Sequence, residues 1–342
     1  MYDVITFGSA AQDIHVRAKS LKILENQKDF GGDFGNGKGI CVNFGSKTEI
    51  EDAILASGGG GTNVAATFAK QGFRTAFCGA IGADIFGLEI IRELRHLRVD
   101  TRFIVKKKEK RTNTSVIISN AGEDRTILVY RGASDAFGGK DIPWKKIKKA
   151  KWFYLAPLTN SLCDSFEEIV NFAKAHNIKV AANPSMSQLS LPEGQLKKIF
   201  SKVDILFLNR EEASFLAKVP FAEEQNIFKK IDQICKGIVV MTKGGDGVVV
   251  SDGKYLYSAG TNPGREIVDT TGGGDAFASG FLTGYIRYKG SIESAIQLGI
   301  ANSEANLAVV GAKTGLLEKQ SKYERVPVIK EECGKNNLCI AK

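Results

Sequence analysis

The segment Asp269-Thr270-Thr271-Gly272-Gly273-Gly274-Asp275-Ala276-Phe277 places a glycine-rich turn and a carboxylate at the start of an amphipathic helix. The first amides of a helix have no internal partners, and with the helix dipole they favour an anion. Gly272, Gly273 and Gly274 let the backbone approach that anion without Cβ clashes. Asp275 falls in the first helical turn beside it. A carboxylate there can take the proton of a substrate hydroxyl during transfer to phosphorus, while the amides stabilise charge on the transferring group. A helix cap at Asp275 and an ordinary chain turn read the same residues without chemistry. No Gly-Lys-Ser/Thr follows, so this is not a Walker A loop.

The pattern D-T-x-G-x-G-D-x-F resembles the C-terminal signature of the PfkB (ribokinase-like) carbohydrate kinases, with Gly273 where the family usually has alanine. The resemblance covers residues 1–317. A second run, Gly58-Gly59-Gly60-Gly61-Thr62-Asn63-Val64-Ala65, is similar to the family's sugar-binding turn and continues through Gly82-Ala83-Asp84-Ile85-Phe86-Gly87. Gly59 and Gly60 let a polyol approach the backbone, and Asn63 supplies both donors and acceptors. A dinucleotide GxGxxG loop competes for these glycines, but they follow no clear strand and lack the acid about 20 residues on. Asp13, just after the first strand, resembles the family aspartate that accepts hydrogen bonds from acceptor hydroxyls; a loop cap is its plainer reading.

Further positions follow from the resemblance. Asn209-Arg210-Glu211-Glu212 looks like the family N-x-x-E motif. Asn209 would lie by the nucleotide and Glu212 would help hold Mg²⁺ through water, as the cation's preference for oxygen allows. Thr242 and Gly244 match a nucleotide loop, although a hairpin would use the same residues. Thr271 is assigned to the nucleotide, and Asn302 in the final helix to the adenine pocket. Asn183, in Asn183-Pro184-Ser185, would lie on the substrate path. Arg131 could pair with an anionic substrate group or sit on the surface. The spacing to Gly311-Ala312 is shorter than in ribokinase, which bears on any monovalent-cation site around Asp269 and Thr271. His15, His96 and His176 are read as surface or packing residues.

These side chains need a frame. Short β-rich runs alternate with amphipathic helical ones, which argues for a mostly parallel sheet covered by helices. Strands are expected at Val4–Phe7, Thr75–Gly79, Trp152–Leu155, Lys179–Ala182, Ile205–Leu208 and Ile238–Met241. Helices are expected at 63–70, 85–97, 166–175, 211–217, 275–288 and 292–309. The fold expected is an α/β, ribokinase-like three-layer αβα sandwich with a small β lid. Segments 14–56 and 101–130 break the rhythm and are assigned to that lid. The second reads as hairpins turning at Asn120-Ala121-Gly122. Residues 318–342 are read as a polar extension free to fray.

Composition narrows the function. The chain has 342 residues, 47 Lys+Arg and 38 Asp+Glu, hence a net charge of +9. The basic runs at 106–111 and 145–151 lack interleaved aromatics or a nucleic-acid motif, so they read as solvated faces. No apolar run reaches the roughly 18–20 residues of a membrane span, and the N-terminus does not read as a signal peptide. The 6 cysteines form no CxxC pair. They are read as reduced thiols of a cytoplasmic protein, with Cys333 and Cys339 close enough to pair or bind metal.

The resemblance thus implies an ATP- and Mg²⁺-dependent kinase acting on a hydroxyl of a sugar, or of a nucleoside of the adenosine type. Asp275 would be the base, and Asp13 with Asn63 would orient the acceptor. A lid-paired homodimer is expected, with neither nucleic acid nor membrane as partner. A family member that binds without turnover and an NAD(P) oxidoreductase are the rival classes.

Overall fold

The computed structural model describes residues 1–17, 21–25, 38–45, 47–119 and 125–333. The frame is a sheet of ten strands among the described residues. From one rim to the other they are Ile329–Glu332, Tyr255–Ala259, Val248–Ser251, Ile238–Thr242, Ile205–Asn209, Lys179–Ala182, Trp152–Leu155, Val4–Phe7, Thr75–Gly82 and Asp100–Lys107. From Ile238–Thr242 to Asp100–Lys107 every neighbouring pair is parallel. The three strands beyond Ile238–Thr242 add antiparallel.

The central strands read as continuous apolar runs because both faces are covered. Side chains alternate between two cores. Ile5, Phe7, Phe153, Leu155, Leu206 and Leu208 face one, packed by helices Phe166–Ala175, Glu193–Phe200 and Glu224–Ile234. Val4, Trp152, Tyr154, Ile205 and Phe207 face the other, packed by helices Gly60–Lys70, Gly273–Arg287 and Ile292–Leu307. The result is the three-layer sandwich expected. The predicted strands and helices all form, with ends shifted by a few residues.

The lid is a four-stranded sheet in the order Asp52–Gly58, Ala11–Arg17, Asn113–Ser119, Thr126–Tyr130. Its boundaries differ from those expected. Residues 100–107 belong to the main sheet, where they pair parallel with Thr75–Gly82. Their half-buried alternation is that of any rim strand, so periodicity alone did not separate them from a hairpin. Lys22–Glu25 and Lys38–Cys41 form a separate two-stranded ribbon. The turn expected at 120–122 and most of the insert 26–39 lie outside the described residues.

Two further expectations change. Part of the C-terminal extension is docked: Val326 is buried in the second core, and Ile329–Glu332 pairs with Tyr255–Ala259. Cys333 is disulfide-bonded, whereas Cys41, Cys78 and Cys163 are free thiols. No helix among the described residues is long and apolar enough to cross a membrane.

Candidate functional site

Both glycine runs meet at one end of the sheet. Asn63, in helix Gly60–Lys70, donates from Nδ2 to Asp275 Oδ2 at 2.9 Å across a sequence separation of 212. Ligands of open α/β sheets gather beyond the carboxyl ends of parallel strands, and the short loops after Val4–Phe7 and Trp152–Leu155 open there. Gly60 borders the carboxylate directly, since a Cβ on it would lie 3.5 Å from Asp275 Oδ1. Gly59 starts the helix at φ +94°, where a Cβ would come within 2.6 Å of Ser9 O. Sequence reasoning missed Gly58, whose absent Cβ makes room for Asp13: it would fall 1.9 Å from Asp13 Oδ2.

The turn at 272–274 divides its work differently from expectation. Gly272 is the N-cap in the left-handed region, at φ +77°. A Cβ on it would strike the Ala312 side chain at 2.6 Å. Gly273 N donates to Thr270 O at 3.4 Å, and the first bond of the helix runs from Ala276 N to Gly272 O at 2.8 Å. The amides of Gly274 and Asp275 therefore precede the helix's own ladder and are the ones placed to meet an anion. A Cβ on Gly274 would meet nothing within 4 Å, so the approach to them is open.

Electrostatics suit proton acceptance. Burial pushes the Asp275 carboxyl above its ordinary value, opposed by the Asn63 hydrogen bond and by Lys313. Asp13 is 6% exposed and is raised too by burial, with Ser115, His15 and Lys313 opposing. Around these carboxyls Asn63 Oδ1, Tyr154 Oη and His15 Nε2 are buried without a hydrogen-bond partner. Buried polar atoms are rarely left so, and a polyol could supply the missing donors and acceptors.

A cavity of about 680 Å³ adjoins the same turn. Asn209, Thr242, Gly244, Gly273 and Gly274 line it. Asn302 does not line it. It is fully buried, donating to Ala276 O and accepting from Leu317 N. Ile300, Ser303, Glu304 and Leu307 line the cavity instead. At about 100° per residue, position 302 faces the opposite side of the helix from 300 and 304. Thr271 likewise turns away, with its hydroxyl on Asp269 Oδ1 at 2.7 Å, and Thr270 lines the cavity.

Asn209 and Glu212 form a capping box. Glu212 N donates to Asn209 Oδ1 at 2.7 Å and Asn209 N to Glu212 Oε2 at 2.8 Å. Among the described residues no three of His, Cys, Asp and Glu gather as a metal cage. Glu211, not Glu212, lines the cavity, and with both box oxygens engaged the second Glu212 oxygen is the one left to reach a magnesium ion through water.

The remaining candidates lie further out. Asn183 sits at its strand end, donating to Phe207 O at 3.3 Å. Arg131 is exposed at the end of the lid. Sequence reasoning also passed over Arg125 and Lys313. Arg125, beside the last lid strand, reaches Asp269 Oδ1 at 3.2 Å and Thr271 Oγ1 at 2.8 Å. His15 Nδ1 lies 3.8 Å from the same aspartate. No local motif announces such cross-chain pairs.

The model of the pfkB family carbohydrate kinases matches residues 39–320. The chain is 28% identical over 274 residues to a ribokinase of Haemophilus influenzae, covering 79% of this chain and 87% of that one. It is 30% identical over 253 residues to a cytidine kinase of Thermococcus kodakarensis, covering 72% and 86%. A ribokinase of Arabidopsis thaliana, solved with ribose and ATP, superposes at TM-score 0.74 and 20% identity over 93% of this chain and 96% of its own.

Proposed function

Because the chain belongs to the pfkB family of carbohydrate kinases, we propose that it transfers the γ-phosphoryl group of ATP to a hydroxyl of a sugar or sugar-like acceptor. One observation carries the reading. Asn63 of the first glycine run touches Asp275 of the second, beside a buried oxygen left for an acceptor to fill. Asp275 takes the hydroxyl proton as the oxygen attacks phosphorus. Asp13 and Asn63 fix the acceptor's other hydroxyls, and the amides of Gly274 and Asp275 face the transferring group. The nucleotide occupies the 680 Å³ cavity with its phosphates toward Gly273 and Gly274. Asn209 and Glu212 would hold Mg²⁺ through water, and the ion would offset phosphate charge. The Arg125 guanidinium supplies a fixed positive charge at Asp269 and Thr271, where a monovalent cation could otherwise act.

Acceptor-dependent ADP formation tests the assignment. Ribose, fructose, fructose 6-phosphate, adenosine and cytidine form the panel. At least one is expected to raise ADP release well above the rate with ATP alone, and NAD(P) is expected to cause no thermal shift. A chain that binds both ligands yet never turns over would be a sensor, and the kinase reading would fall.

The lid supports a homodimer. Leu55, Ile14, Val116 and Leu128 form one cross-strand row on the lid face opposite Asp13. Leu55 is 64% and Leu128 57% exposed. An apolar row of this kind is a candidate for burial against a second lid. Sedimentation velocity at micromolar concentration should show a dimer that Leu128→Lys converts to monomer. A monomeric wild-type protein across that range rejects the pairing.

A further inference from the structure

Lys313 follows Gly311-Ala312 in the loop beyond the last long helix, and its side chain is only 4% exposed. A buried ammonium is costly unless it is paired, so its partners decide where it stays. It donates to Ser57 Oγ at the end of the first lid strand and lies 3.4 Å from Glu93 Oε2 on helix Ile85–His96. Ser57 Oγ also bonds that glutamate oxygen. The segments on either side of this link touch the reaction centre. Ala312 packs against Gly272, the cap of the helix that carries Asp275, and Ser57 precedes Gly58, which lies against the Asp13 carboxylate. The ammonium is therefore tied to two other segments of the chain, the lid strand and helix Ile85–His96, within reach of the charge of both aspartates. Burial pulls the amine below its usual value, while Glu93, Asp13 and Asp275 push back.

We propose that Lys313 is a positioning residue for phosphoryl transfer, keeping a positive charge near Asp13 and Asp275 so that both stay ionised as the acceptor attacks. This rests on the reading of Asp275 as base. The groups facing Asp275 are Asn63, Tyr154 and Lys313. Those facing Asp13 are Ser115, His15, Asp269 and Lys313. Those facing Lys313 are Ser57, Glu93 and the two aspartates. A nearby opposite charge favours the ionised carboxyl, and a like charge in a dry pocket disfavours it. Removing the ammonium leaves Asp13, with Asp269 beside it, and Asp275 without the cation that offsets the cost of their charge. Removing the Glu93 charge leaves the ammonium less neutralised and strengthens its hold on both.

The test is the pH dependence of the single-turnover rate. Protonation of Asp275 abolishes proton acceptance, so the rate falls as pH falls through its ionisation. Lys313→Met should move this acid limb up by about one pH unit, and Lys313→Arg should move it less. Glu93→Gln should move it down. A packing role alone would lower melting temperature or amplitude without shifting the limb in opposite directions. Melting temperature and ATP binding verify that each variant folds, and if Lys313→Met does not, Glu93→Gln and Lys313→Arg carry the test. Unmoved limbs in folded variants overturn the proposal. Asp275→Asn separates the two ideas. If it stays active, the base assignment fails; if it is inactive while the limbs stay fixed, only the role of Lys313 fails.

Discussion

Asp275→Asn is expected to lower the single-turnover rate by about 10²–10⁴-fold, the usual contribution of a positioned general base. ATP and acceptor dissociation constants should change by no more than a few-fold. The asparagine is nearly the same shape, and its amide oxygen can still accept from Asn63 Nδ2, so the 2.9 Å link between the two glycine runs survives. What it loses is the ability to take a proton. Rapid-quench measurement at saturating ATP and acceptor reads the chemical step, and isothermal titration reads binding. A rate within tenfold of wild type would remove Asp275 from the chemistry. A rate lost together with both affinities would make it a structural residue of the helix cap.

Asp13→Asn should act on the acceptor alone. A hydrogen bond to a charged group contributes about 1.5–3 kcal/mol. If the carboxylate takes two hydroxyls, about 3–6 kcal/mol is at stake, and acceptor kcat/KM should fall by about 10²–10⁴-fold, since each 1.36 kcal/mol is tenfold. The KM for ATP should hardly move, because Asp13 is on the lid and does not line the 680 Å³ cavity. Steady-state kinetics with each substrate varied in turn decides this. Equal damage to both substrates would mean that Asp13 orders the lid as a whole and does not grip the acceptor.

Legibility in the sequence followed the range of the interaction. The glycine turns, the strand ends and Asp275 are local features, and each was read from neighbouring residues. Asn302 was misplaced because the final long helix is buried on most sides. Asn302, Ser303, Glu304 and Asn306 are all polar, so composition did not mark which of them faces the cavity; packing sets that phase. The lid boundary at 101–107 was misread because an edge strand and a hairpin strand alternate alike. Gly58, Arg125, Glu93 and Lys313 were passed over for a different reason. Each matters through a contact made only after distant segments fold together, as Lys313 with Ser57 and Glu93 across separations of 256 and 220.

The rims of the main sheet limit how copies of this chain can associate. At one rim Ile329–Glu332 is exposed throughout and carries Lys330, Glu331 and Glu332. At the other, Asp100–Lys107 carries Arg102, Lys106 and Lys107. Charged side chains on an outermost strand oppose the addition of another. Head-to-tail polymerisation by extension of the main sheet is therefore disfavoured at both of its rims. Self-association is left to the lid, whose last strand Thr126–Tyr130 is exposed throughout.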